Sequence, residues 1–256
     1  MGFFDRFRKT PQSREVGKPS SEAGEQIASL SFVSAGDFEI APCPGKHALQ
    51  LWEKTRDEGR SEGFNAIILG DSKDVESLAE NREFSTLSVT EILSVAADID
   101  TEEWLKERLE SDPECYGAEV GDWPYQVPDA GSISAHLEVL SKKPKSTVYI
   151  AKVPASRNWE VPAYIGMGNW NACPEPAEHV AMAKRWHERY GAEIVSITRD
   201  VIEFVVAKPP NTKESAIDLA KEQHLYCSDI VDQGCGSISN LAATLLNSKY
   251  WYFWWD

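Results

Sequence analysis

The chain has no apolar run approaching the roughly 18 residues that carry a helix across a bilayer, so no integral membrane association is expected. Cysteine is sparse, five in 256 residues, with no C-x2-C pair and no charged-then-apolar leader. That pattern excludes a disulfide scaffold and points to a reducing cytoplasm. No G-x-G-x-x-G or Walker sequence occurs, so a nucleotide cofactor finds no support, and no cofactor of any kind is expected. Positive charge is short as well. Lys and Arg number 26 against 41 Asp and Glu, a net charge of −15, which argues against a nucleic-acid partner.

What is present is ordinary for a globular protein: 42% hydrophobic residues and 26% charged residues, in a chain long enough to bury a sizeable core. The charge is uneven. Residues 1–18 net +3, residues 19–130 net −17 and residues 131–256 net −1. Runs such as Glu102, Glu103, Glu107 and Glu110 suit a solvated helix face, and equally a face that draws a basic protein partner. The divisions expected are a basic, Phe-rich tail and flexible linker over 1–25, an acidic subdomain over 26–150 and an α+β domain over 151–256. In the tail, Phe3, Phe4 and Phe7 share one helical face, whereas Arg6 spoils a myristoylation signal.

Apolar spacing predicts helices over 46–59, from a cap at Ser72 to Asn81, over 88–98, and over 101–110 with Thr101 as N-cap. Further helices are predicted at 177–190, closed by Gly191, from an Asn211/Glu214 capping box to Tyr226, and after Ser237. Strands are predicted at 64–70, 147–153 and 161–165, with a hairpin of 193–198 and 201–207. Residues 111–131, with three Pro and three Gly, read as an irregular crossing. The chain finishes in Tyr250-Trp251-Tyr252-Phe253-Trp254-Trp255-Asp256, whose alternation sends Trp251, Phe253 and Trp255 to one face. The expected class is α+β: a mixed or antiparallel sheet with packed helices and the aromatic carboxyl-terminal strand in the core.

The residues Trp186, Tyr190-Gly191-Ala192-Glu193-Ile194-Val195, Asp200, Pro209-Pro210, Ala220, Glu222-Gln223, Tyr226-Cys227-x-Asp229-Ile230-Val231, Gln233-Gly234 and Trp251-Tyr252-Phe253-Trp254-Trp255-Asp256 together resemble the bacterial domain-of-unknown-function family 4253. The likeness covers about residues 155–256, with fainter traces at Pro44-Gly45, Trp52 and Ile68-Leu69-Gly70. It implies a soluble bacterial protein and assigns no catalytic residues.

Chemistry has one main candidate. His224 and Cys227 stand three apart at a helix end, with Asp229 or Asp232 to orient the imidazole and Gln233-Gly234 to offer an amide donor. That set would suit a cysteine-dependent acyl or amide hydrolase. Against it, a cysteine at a helix end is commonly a small buried apolar residue, and Gln233-Gly234 also makes a turn. A metal read through His224, Cys227 and Cys235, with Cys173 or His179 as a fourth ligand, matches no zinc spacing, and none is expected. Nine Trp, six of them after residue 158, suit a core or a binding surface. In the loop Asn169-Trp170-Asn171, two amides flank an indole, as in a polar ligand pocket or a plain turn. Trp170, Asn171 and Gln233 are therefore the candidate ligand-binding residues. The function expected is macromolecule binding, as an inhibitor or immunity-type partner of a basic protein, with the Cys227 hydrolase as the alternative.

Overall fold

The computed structural model describes residues 29–111, 113, 117–126 and 131–256, so the Phe-rich tail, the linker up to residue 28, and Cys115 lie outside the described residues. A two-residue turn at Gly36-Asp37, with Gly36 at φ 74°, joins β1 (Val33–Ala35) to β2 (Phe38–Cys43). Then come α1 (Ala48–Glu62), β3 (Asn65–Gly70), α2 (Ser72–Phe84), α3 (Val89–Asp98) and α4 (Thr101–Ser111). The second half holds β4 (Val148–Val153), α5 (Val161–Ile165), α6 (Pro176–Tyr190), β5 (Ala192–Ile197) and β6 (Val201–Val206). It closes with α7 (Lys213–Tyr226), a π-type turn (Ile230–Cys235), α8 (Ile238–Leu245) and β7 (Tyr250–Trp254). Among the described residues, no helix is long and apolar enough to cross a membrane.

The strands form one seven-stranded mixed sheet in the order β1-β2-β4-β3-β5-β6-β7. Its described pairings are antiparallel except β3 with β5. The boundary expected at 150/151 falls inside β4, and β4 pairs with both β2 and β3, so the two halves share a sheet. Strand alternation sends Ile67, Leu69, Ala151, Val153, Phe204 and Phe253 to one face, and Ala66, Ile68, Val148 and Ile150 to the other. Helices α2 and α4 to α8 cover the first face, with α3 packed outside against α5 and α6. The second face is covered by α1 and by the irregular chain at Ile133 and Ala135.

The carboxyl-terminal strand is core. Trp251, Phe253 and Trp255 are buried, and Trp186 of α6 stacks on Phe253 with centroids 5.1 Å apart and planes at 4°. The Trp186 indole N–H donates to Glu222 at 2.5 Å, and Arg185 and Arg189 neutralise that carboxylate at 2.8 and 2.6 Å. A large apolar ring is thus buried while its polar atom is satisfied.

Several local expectations need correction. Residues 161–165 are a helix, not a strand. Pro162 in the first turn and Gly166 at φ 75° are helix punctuation, and a five-residue apolar run buried on all sides has no period to read. Asp71, not Ser72, caps α2, accepting the N–H groups of Lys73 and Asp74. Asp100 accepts from the N–H groups of Glu102 and Glu103, so it, not Thr101, serves the start of α4. Thr212 with Ser215, not Asn211 with Glu214, forms the capping box of α7. Strands β1 and β2 were not foreseen. Pro42 sits in β2 opposite Tyr149 of β4, beyond the end of the β1 pairing, where its missing N–H costs no ladder bond.

Candidate functional site

The parallel strands β3 and β5 end side by side, and the chain leaves each in a different direction. After β3 it enters α2. After β5 it turns through Arg199 and Asp200 into β6. The carboxyl ends of neighbouring parallel strands leave a crevice where ligands collect in open sheets. Here a cleft of about 440 Å³ opens between Ser77 and Asn81 of α2, the Arg199-Asp200 turn, Trp170 and the end of β7 at Trp254 and Trp255.

Trp170 reaches the cleft from the loop 166–174, whose backbone is unusual. Gly166, Gly168, Asn169 and Asn171 have φ of 75°, 113°, 68° and 45°, positive values that Gly and Asn adopt more readily than other residues. Gly168 is obligatory, since a Cβ there would lie 2.0 Å from the Pro174 carbonyl oxygen. Asn81 donates to the carbonyls of Gly166 and Gly168 at 2.5 and 3.0 Å. Arg108 of α4 donates to Ala172 O at 3.0 Å, and the Asn171 side chain donates to Asp256 O at 2.7 Å.

Behind the loop lies a buried polar cluster. His179 Nδ1 is 2.5 Å from the Tyr226 hydroxyl and its Nε2 is 3.5 Å from Cys173 Sγ. Burial, helped by Arg108, pushes the His179 imidazole down to about 3, so it is neutral at neutral pH. Burial pushes the thiols of Cys173 and Cys227 well up. Among the described residues no group of three His, Cys, Asp or Glu side chains is placed to hold a metal.

Cys227 is fully buried at the end of α7, and its Sγ donates to Trp254 O at 3.0 Å. His224 is buried too, with Nε2 3.3 Å from Asp232 Oδ1. Asp229 accepts from Gln233 Nε2 at 2.9 Å and from the Asp256 N–H at 3.0 Å, tying the π-type turn to the end of β7. Gln233 is exposed. A buried thiol that serves as a main-chain donor is far from the thiolate that nucleophilic attack requires. Of the sequence candidates, Trp170 lines the cleft and Asn171 anchors its rim through Asp256. Ser77, Asn81, Arg199 and Asp200 were missed as site residues. Helix-face polarity and a turn dipeptide carry no local mark of a cleft, and only the parallel β3–β5 pairing brings them together.

A second charged cluster lies beside the cleft. Lys145 bridges Asp71 at 3.2 Å and Asp74 at 3.1 Å, and Arg199 Nε is 3.8 Å from Asp74. Burial opposes ionisation of Asp71, but Lys145 holds its carboxyl below the ordinary value. Together these features define an α+β protein with one mixed sheet and a rigid, aromatic-walled cleft at the ends of its parallel strands. Residues 149–256 match the family model described as Domain of unknown function (DUF4253), and this segment of the chain belongs to that family. The matched segment spans β4 to β7, and so includes Trp170, Arg199 and Asp200 but not α2. No curated protein and no solved structure matches the chain.

Proposed function

We propose that this is a cytoplasmic bacterial protein that binds a basic macromolecular partner, in the manner of an inhibitor or immunity protein, through the outer surface of α2 to α4. One observation carries the reading. Residues 71–111 hold twelve Asp and Glu against four Lys and Arg, and all three helices lie on the same side of the sheet. Of these carboxylates, Glu80, Glu83, Glu103, Glu107 and Glu110 are in solvent, beside the exposed apolar side chains Phe84, Val95 and Leu109. Of the four basic residues, Arg108 is turned inward onto Leu225 O and Ala172 O, and Lys106 is paired with Glu103. Such a face steers a cationic partner and repels phosphate backbones. The free thiols of Cys43, Cys173, Cys227 and Cys235 suit a reducing compartment. The hydrolase alternative draws no comparable support, because its nucleophile is buried.

The test is affinity capture from the native cell at low and moderate salt, run in parallel with Glu107→Lys and Glu110→Lys. A partner lost at moderate salt and lost to the charge reversals bears the reading out. A partner retained under both conditions sinks it.

A further inference from the structure

We propose that the cleft between α2, the 166–174 loop and the end of β7 is a binding site for a saccharide ring. The site is separate from the acidic outer surface and does not depend on it.

Three observations converge. Two half-buried indoles, Trp170 and Trp254, border the cleft and offer flat apolar surface to the C–H face of a sugar. Between them stand donors and acceptors: the Arg199 guanidinium donates, the Asp200 carboxylate and the Asn81 amide oxygen accept, and the Ser77 hydroxyl does both. A polyhydroxylated ligand needs both kinds. The lining carries two carboxylates, Asp200 and Asp256, against one guanidinium, with Arg199 Nε 3.6 Å from an Asp200 oxygen. The wall therefore disfavours an anion and offers acceptors to hydroxyl protons.

The cleft is also preorganised. The loop bearing Trp170 is held by hydrogen bonds from Asn81, Arg108 and Asn171, so little ordering remains to be done on binding. A volume of about 440 Å³ lies within the roughly 300–1,000 Å³ of small-molecule sites.

The experiment is saturation-transfer NMR on the full chain with methyl glycosides of glucose, galactose and N-acetylglucosamine, with the matching tetrasaccharides, and with choline as a cation probe. The expected result is transfer to the ring C–H protons of at least one sugar. Preference for the methyl glycoside marks a free sugar, and preference for the tetrasaccharide marks a chain-borne ring. Trp170→Ala should weaken binding about tenfold, the order of one lost aromatic contact. Ser77→Trp, which fills the cleft from α2, should abolish transfer while the thermal melt stays near that of the parent. Should Trp170→Ala fail to fold, Ser77→Trp decides. No transfer from any sugar at millimolar concentration overturns the proposal, as does transfer that survives Ser77→Trp. Transfer to choline with none to the sugars also overturns it, in favour of a cation site.

Discussion

The two faces of the sheet are covered by different means. One lies beneath six helices and is filled with aromatic rings, among them Trp186, Phe204, Trp251 and Phe253. The other has α1 over β3 and β4, and irregular chain at residues 131–136 over β6. Helices satisfy their own backbone, so the carboxylate buried beside the first face, Glu222, meets side chains: the Trp186 indole and the guanidinium groups of Arg185 and Arg189. Irregular chain cannot, and the carboxylate buried on the second face meets main-chain donors as well. Glu203 of β6 accepts from the N–H of Ser134 at 2.7 Å and of Ala135 at 3.1 Å, and from the hydroxyls of Ser134 and Ser196 at 2.7 and 2.6 Å. The comparison shows how a sheet can be closed without a helix: one acidic side chain takes over the acceptor role that a helix or strand would supply.

The largest effect should come from the aromatic face. Removing Trp251 to Asp256 deletes three buried rings, each contributing roughly 1.5–3 kcal/mol, against a typical domain stability of about 5–15 kcal/mol. A chain ending at Tyr250 should be unfolded or insoluble in a thermal melt and solubility assay. If it melts within a few degrees of the parent, the aromatic face is not the dominant core.

On the other face, Glu203→Ala orphans the amides of Ser134 and Ala135, at about 1–3 kcal/mol for each unmet donor. Denaturant unfolding should register the loss, and hydrogen exchange should quicken at those two amides before the strands open. Protection unchanged at both would show that the segment is held by something else.

Titration should separate the faces by sign. Burial lowers the His179 value to about 3 from an ordinary 6.5, so the unfolded chain takes up a proton that the fold refuses. Stability on that account is full above 6.5 and falls as pH drops towards 3. Burial, only partly offset by its donors, raises Glu203 above its ordinary 4.5. Its contribution is full below 4.5 and is lost as pH rises from there through the raised value. His179→Gln should flatten the acid side of a stability profile and Glu203→Gln the rise-of-pH loss. Matching slopes in both variants would break the distinction.

Smaller again, Cys227→Ser should cost about 0.5–3 kcal/mol, the usual range for a substitution that places a more polar atom in a core. The native thiol should resist alkylation at neutral pH until the protein unfolds. Rapid labelling would revive the nucleophile. Least of all, Glu103→Gln, which breaks only the exposed 2.9 Å pair with Lys106, should shift stability by less than about 1 kcal/mol in a thermal melt.

Most element types could be read directly from residue order. The 3.6-residue apolar spacing of α1, α3 and α6, the Gly191 terminus and the alternating aromatics of β7 are local patterns, and they depend on each segment's neighbours in sequence. Where punctuation outweighed pattern, as at Pro162 and Gly166, or where a strand was short and held a proline, as in β2, the reading failed. What the residue order could not contain was the pairing of β3 with β5, more than a hundred positions apart. That pairing brings Arg199 beside α2 and makes a cleft of Trp170, while folding turns the sulfur of Cys227 onto Trp254. Local conformation follows from adjacent side chains, so the sequence by itself determined the helices and the aromatic strand. The cleft, the Glu203 anchor and the burial of Cys227 depend on which distant surfaces pack together, and only the tertiary structure decided those.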